Sequence, residues 1–311
     1  MPASPTVVVI INPIAGGGIR LDRARDRGEQ AAAIIRGRGF DPEVFITERP
    51  GHARELAGAA LARGAATVVA WGGDGTVNEV ASALAFRETT LGIVPSGSGN
   101  GLARELGIPP SAGAALDVAV GAGRRRIDAG EMDGRLFFNV GGIGLDALVA
   151  RRFAAHTRLP RGFLRYVVLA VSEIFAYRPA PLTITADGDT QHVRVLLLAV
   201  ANGRQYGNGA LIAPSACIDD GRLDLVVVNA RSPLGVLISA PRLFTGRIGS
   251  VAGVATRQVA TVDVSAPPPI VCHVDGEPFT GGASVRIRVR PAALWVASPP
   301  AARAAGSTGS R

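Results

Sequence analysis

The chain has 311 residues, and 33 basic against 25 acidic side chains leave a formal net charge of +8. Every one of those cations is arginine, which excludes mechanisms built on a lysine amine, such as a Walker A phosphate lysine or Schiff-base chemistry. Any anion must therefore be held by arginine, backbone N–H groups, helix N-termini or a metal.

Residues Thr6 to Ile11 are β-branched, continuous and ended by Asn12 and Pro13, which predicts a buried parallel strand. That run is too short for a signal peptide, and no stretch reaches the ~18 continuous apolar residues of a membrane span. A glycine loop follows, then a helical pattern from Leu21 to Arg38 and a short strand from Glu43 to Thr47. An alanine-rich helix (His52 to Arg63) leads to a third strand (Thr67 to Trp71). After Gly72-Gly73-Asp74-Gly75, Val77, Val80, Ala81 and Leu84 fall at helical spacing, and residues 90 to 94 predict a fourth strand. Strands alternating with helices across short loops predict a parallel sheet wrapped by helices.

Near residue 124 the pattern changes. Strand-like runs cover 135–140, 181–187, 192–201, 222–229, 258–265, 270–275 and 284–289, with helical stretches at 145–156 and 161–177. Val285, Ile287 and Val289 alternate with Arg286, Arg288 and Arg290, giving one buried and one solvated face. A second, mainly antiparallel β domain is expected. The chain divides into residues 1–123, 124–298 and a disordered tail, 299–311. Cys217 and Cys272 belong to no metal-ligand spacing and read as small core residues of a reduced, cytoplasmic protein.

Three glycine-rich loops stand at the carboxyl ends of strands, where open parallel sheets bind ligands: Asn12 to Gly18, Gly72 to Glu79 and Pro95 to Gly101. Each precedes a helix, so backbone N–H groups and helix N-termini converge there, and glycine lets phosphate oxygens come close. Asp74 is flanked by three glycines, which predicts a carboxylate that has no helix to stabilise and faces the ligand crevice, placed to bind Mg²⁺ through water or to orient a nucleophile. Downstream, Val274-Asp275-Gly276-Glu277-Pro278 reads either as a hairpin turn with two solvated acids or as part of the site. The acidic group Ile218 to Asp224 reads as a turn in preference to a hard-cation loop.

Taken in order, Asn-Pro-x-x-Gly, GGDGT, PSGSGNGLA and DGE resemble the lipid kinases with a diacylglycerol-kinase catalytic domain, including bacterial diacylglycerol kinases and sphingosine-kinase-like proteins. GGDGT alone is shared with NAD kinases; its combination with PSGSGNGLA and VDGEP is more specific. The resemblance implies an N-terminal three-layer α/β domain, a C-terminal antiparallel β-sandwich-like domain whose terminal segment can return to the first, and an ATP site between them. It also implies Mg²⁺-dependent transfer of the γ-phosphoryl group to a lipid hydroxyl. Carried onto this sequence, Asn12, Gly16 and Thr47 would line the nucleotide, and Gly72, Gly73, Asp74, Gly75, Thr76 and Asn78 would form the phosphate loop, with Ser98 as a phosphate-side hydroxyl. Glu277 would accept the proton of the lipid hydroxyl, with Asp74 and Asp275 organising magnesium and water. The acidic turn matches a structural-metal loop, with Asp220 binding by its carboxylate and Cys217 and Arg222 by backbone carbonyls.

Two departures from the resemblance stand out. Ile14 occupies a position where many relatives carry lysine, leaving backbone donors and Arg20, and Asn100-Gly101 stands where many have Asn-Asp. The basic balance as a whole reads either as the arginine usage of a GC-rich genome or as a partner signal, but two clusters resist that averaging. They are Arg124 to Arg126, and the set Arg151, Arg152, Arg158, Arg161 and Arg165, which reads either as a core-packed helix with a solvated basic face or as a membrane-contacting surface. The second is interleaved with Phe153, Phe163, Leu164 and Tyr166, and with a membrane-borne acceptor it suits peripheral contact with an anionic bilayer. A homodimer is a candidate assembly, and no motif points to nucleic acid. The rival readings are an NAD-kinase-like enzyme with a soluble acceptor and a non-catalytic nucleotide-sensing module at the membrane.

Overall fold

The computed structural model describes residues 5–15, 21–155 and 163–299, with backbone alone for 163–166. Strands β1 (Thr6–Ile11), β2 (Asp41–Ile46), β3 (Thr67–Gly72) and β4 (Thr90–Pro95) form a parallel sheet in the order β2-β1-β3-β4. Helices α1 (Leu21–Gly37) and α5 (Ala112–Ala119) pack together on one side, and α2 (His52–Ala62) and α3 (Asp74–Leu84) on the other, with the short α4 (Gly101–Glu105) after the third glycine loop. β1 is fully buried from Val7 to Ile11, as a central strand covered on both faces must be. Helix α5 escapes periodicity analysis because its alanines and glycine carry no apolar stripe; its Ala115 and Leu116 are nonetheless wholly buried.

The second domain is a sandwich. Its chain runs through β5 (Arg124–Met132), β6 (Arg135–Phe137), β7 (Val140–Gly144), α6 (Leu145–Ala155), α7 (Phe163–Ala176), β8 (Pro181–Ala186), β9 (Asp189–Ala201), the ribbon β10 (Gln205–Gly207) and β11 (Ala210–Leu211), and β12 (Leu223–Asn229). It continues through α8 (Pro233–Ser239), α9 (Pro241–Phe244), β13 (Val254–Val259), β14 (Thr261–Ser265), β15 (Ile270–Val274), β16 (Glu277–Gly281) and β17 (Ser284–Ala297). One layer is β6-β5-β17-β14-β8, the other β16-β15-β7 with β12 and β13. β9 joins them: its first half pairs with β8 and its second with β7 and β12. Met132, Phe137, Ile184 and Ile287 from one layer meet Leu198, Leu225, Val259 and Cys272 from the other in a closed core.

β17 extends well past residue 289, where alternation stops. Pro291 lacks a donor and Ala292 sits at φ 49, which breaks the pattern, but Leu294 to Ala297 resume pairing with Ile127 to Arg124. Val296 also pairs with Leu91, so the end of the chain closes onto the parallel sheet and joins the first core. The run 135–140 is likewise split into β6 and β7, and 258–265 lies across β13 and β14.

Cys272 is buried between the sheets, whereas Cys217 is exposed, so only one of the two is a core thiol. The cluster Arg124 to Arg126 is absorbed locally. Arg124 and Arg126 lie 4.2 and 4.8 Å over the Trp295 ring, Arg126 pairs with Glu88, and Arg125 pairs with Asp219. On the solvated face of β17, Arg286 pairs with Asp263, and Arg288 and Arg290 share Glu131. Residues 300–311 of the expected tail, and Arg158 and Arg161 of the second basic cluster, lie outside the described residues, as do the side chains of Phe163, Leu164, Arg165 and Tyr166.

Candidate functional site

The first two glycine loops are tied together at their bases. Asn12 Nδ2 donates to the Thr76 hydroxyl at 2.8 Å, while Asn12 Oδ1 accepts the Ile14 N–H at 3.0 Å, turning the chain away from β1. The second and third loops touch backbone to backbone: a Cβ placed on Gly97 would lie 2.6 Å from the Gly73 Cα, so only glycine permits this approach. The loops at the ends of β1, β3 and β4 thus share one crevice.

Asp74 does have a helix to stabilise, and this corrects the expectation drawn from its flanking glycines. It opens α3, and its carboxylate accepts the N–H groups of Asn100 at 2.9 Å and Gly101 at 2.6 Å, capping α4 across the crevice. Each oxygen uses one lone pair and keeps another, so the carboxylate fits a water-bridged divalent cation as well. Glu79, from the same motif, has an architectural job: its two oxygens accept from Gly51 N and Ala53 N and cap α2.

The DGE segment reaches this crevice from the other domain. Asp275 and Gly276 sit at φ 47 and 85, the pair of positive values that a two-residue hairpin favours, and Val274 pairs with Glu277 across the turn. It is a hairpin, yet Asp275 is not a solvated acid. Its Oδ2 accepts from Phe138 N at 2.9 Å and Asn78 Nδ2 at 2.8 Å, and its Oδ1 accepts from Asn139 N and Val140 N at 3.0 Å each. Burial pushes its carboxyl above the ordinary range, and these four donated bonds oppose the shift. With four acceptor positions filled, Asp275 has none left for a metal; its geometry is that of an anchor joining α3, the β6–β7 turn and the DGE hairpin. Asn78 spans the same junction, donating also to the Leu136 carbonyl at 3.0 Å.

Glu277, the first residue of β16, is exposed and stands against the start of α3: a Cβ on Gly75 would lie 2.9 Å from its Oε1. The fold therefore brings Asn12, Gly72, Gly73, Asp74, Gly75, Thr76, Asn78, Asp275 and Glu277 together across the two domains. Ser98 is exposed on the third loop, and Thr47 is buried at the end of β2 with its N–H on the Ile11 carbonyl. Gly16 and Arg20 lie outside the described residues.

Ile14, at the position after Asn-Pro, is 46% exposed and brings no charge. Two arginines that sequence reasoning did not single out reach the loops. Arg27 Nη1 donates to the Ala15 carbonyl at 3.2 Å and Arg104 Nε to the Gly99 carbonyl at 3.0 Å. Both lie on helices that follow a glycine loop, and that adjacency was the available signal.

The acidic turn lies away from this crevice. Asp220 accepts the Arg222 N–H at 2.9 Å and the Gln258 amide at 2.9 Å, and Cys217 Sγ donates to Asp219 at 3.3 Å. Asp220 acts there as a turn-closing residue. Among the described residues, no three His, Cys, Asp or Glu side chains gather as a metal cluster.

Two family profiles match in tandem: the diacylglycerol kinase catalytic domain over residues 6–132 and the YegS C-terminal NAD kinase beta sandwich-like domain over residues 139–298. A diacylglycerol kinase of Mycobacterium tuberculosis is 34% identical over 300 residues, spanning 94% of this chain and 95% of that protein. The chain belongs to the diacylglycerol kinase and YegS-like family of lipid kinases. A probable YegS-like lipid kinase of Pseudomonas aeruginosa is 34% identical over 271 residues, 86% of this kinase and 88% of the relative. A putative diacylglycerol kinase from Bacillus anthracis shares the fold, with a TM-score of 0.74, 23% identity and 97% of each chain covered. In this kinase the family's two domains meet at Glu277 and Gly75, the junction that the glycine loops frame.

Proposed function

We propose that this kinase transfers the γ-phosphoryl group of ATP to the hydroxyl of a membrane lipid, diacylglycerol or a related acylglycerol or sphingoid lipid. The observation that carries this reading is the carboxylate of Glu277, delivered by the β domain to the N-terminus of α3 between the phosphate-type loops. The backbone N–H groups of the glycine loops, with Arg27 and Arg104 beside them, receive the ATP phosphates in place of a lysine. Glu277 takes the proton of the acceptor hydroxyl as its oxygen bonds to the γ-phosphorus, and the bond to the β–γ bridging oxygen breaks to release ADP. Asp74 is the residue that would hold Mg²⁺ through water, and the ion would supply charge neutralisation on the phosphates when bound. Asp275 and Asn78 keep the two domains in register.

A bilayer-facing side is supported by the apolar surface of the helices in the β domain. Val168 and Phe175 on α7, Leu234 and Ile238 on α8, and Phe244 on α9 are between 51% and 69% exposed. Val236 and Leu243, pointing inward, anchor α8 and α9 on the core, and the exposed Arg242 and Arg247 flank the apolar residues. Exposed apolar side chains with arginine beside them suit a membrane surface with anionic headgroups. No described helix is long and apolar enough to cross a membrane.

The test offers labelled ATP and Mg²⁺ with diacylglycerol, monoacylglycerol, sphingosine, a total lipid extract or NAD. Label is expected in a lipid, and Glu277→Gln is expected to remove it. Label in NAD alone sinks the reading.

A further inference from the structure

A buried polar cluster lies directly beneath the DGE hairpin and has no part in the chemistry described above. His273 of β15 is 4% exposed and Asp146, in the first turn of α6, is 5% exposed. His273 Nε2 lies 3.0 Å from Asp146 Oδ2, which also accepts the Tyr206 hydroxyl at 2.8 Å, while Oδ1 accepts the Ala147 N–H at 2.8 Å. Gly276 N, the central amide of the hairpin, donates to His273 Nδ1 at 3.3 Å. A backbone N–H can only donate, so Nδ1 is the acceptor and the ring proton resides on Nε2, where Asp146 receives it. The fold makes room for this pair: a Cβ on Gly142 would come 2.0 Å from Asp146 Oδ2 and 2.5 Å from His273 Nε2. The neighbours of His273 in the strand, Cys272 and Val274, face the opposite way into the inter-sheet core, so His273 shares its face of β15 with Val271 and is the one polar side chain there.

We propose that His273 is a positioning residue for the phosphoryl transfer: Asp146 and Tyr206 fix its ring, and the ring holds the Gly276 amide and so the direction in which the hairpin presents Glu277. This rests on the lipid-kinase reading of Glu277. Asp275 and His273 divide the work, the former tying the hairpin to the α/β domain and the latter tying it to α6. A carboxylate that must meet a substrate hydroxyl within hydrogen-bond reach needs both restraints, because a misplacement of about 1 Å costs roughly a hundredfold in rate.

Two near-isosteric variants separate the two bonds of the ring. In His273→Asn the side-chain oxygen can stand where Nδ1 stands and accept from Gly276, while the bond to Asp146 is lost. In His273→Gln the side-chain amide can replace Nε2 and donate to Asp146, while Gly276 loses its acceptor. The expected result is that His273→Gln speeds hydrogen exchange at the Gly276 amide and lowers kcat for lipid phosphorylation, each by about tenfold or more, with KM for ATP within about twofold. His273→Asn is expected to stay within about threefold of the wild type in both. Unchanged Gly276 exchange in His273→Gln, undiminished kcat despite faster exchange, or loss in both variants in proportion to their melting temperatures would each overturn the proposal. If the wild-type chain labels no lipid, the lipid-kinase reading fails by itself, and the exchange measurement still decides whether His273 holds the hairpin.

Discussion

Asp74 shows how one side chain can be architectural and, in the proposed mechanism, chemical at once. Its carboxylate closes the N-terminus of α4 with both oxygens and lies where the second and third glycine loops meet. An amide can accept at only one of its two atoms, so Asp74→Asn leaves the N–H of Asn100 or Gly101 without its partner. The expected cost is about 1–3 kcal/mol of stability, read as a lower melting temperature, together with phosphoryl transfer at background level. Transfer near the wild-type rate would remove Asp74 from the mechanism. Gly75→Ala makes a different point, because its new methyl group would meet the flexible end of Glu277. The fold is expected to survive and the melting temperature to move little, while kcat falls by about tenfold or more through displacement of Glu277. The convergence of the glycine loops at the carboxyl ends of the parallel strands was legible from residue types alone. The capping role of Asp74 and the saturation of Asp275 were not, since the donors come from residues 26 to 197 positions away in the chain.

At the scale of elements, β1 to β4 and α1 to α3 were readable because local rules suffice: continuous β-branched runs mark buried parallel strands, and apolar spacing marks helix faces. The elements that escaped notice owe their form to neighbours. β17 passes through a proline and a left-handed alanine because β5 supplies partners on both sides of the break. Helices α8 and α9 have no fully buried residue and show no amphipathic signal, since their apolar side chains point both inward and outward. That outward face invites a test. Leu234 and Ile238 lie one turn apart on α8 and are 63% and 69% exposed, so Leu234→Asp with Ile238→Asp is expected to leave the melting temperature unchanged. Sedimentation with vesicles containing anionic lipid should fall by about tenfold or more, and activity toward vesicle-borne lipid should fall with it, while detergent-dispersed lipid is phosphorylated as before. Vesicle binding equal to wild type would remove α8 from the membrane-facing side.

At the scale of the whole molecule, the sandwich core sets an alkaline limit. Burial pushes the Cys272 thiol from its ordinary 9.0 up to about 12, with the charges of Asp133 and Asp146 adding to the shift. Above pH 9 the unfolded chain loses this proton while the folded chain keeps it, so stability is full below the unfolded value and declines as the pH rises toward 12. Cys272→Ala is expected to flatten that decline in denaturant titrations at rising pH; an unchanged slope would assign it to other groups. The same scale divides what each level of description could decide. By itself the amino-acid sequence determined the alternation of β1 to β4 with α1 to α3, the change from parallel to antiparallel architecture near residue 124, the glycine loops and the exclusion of lysine chemistry, because each depends on residue type and short-range periodicity. Only the tertiary structure decided that Asp275 is an anchor, that Glu277 faces Gly75, that Arg124 and Arg126 stack on Trp295, and that Asp146 and His273 meet under the hairpin. Each of these joins residues distant in the chain, and their geometry depends on how two sheets close on one another, which no local pattern of side chains encodes.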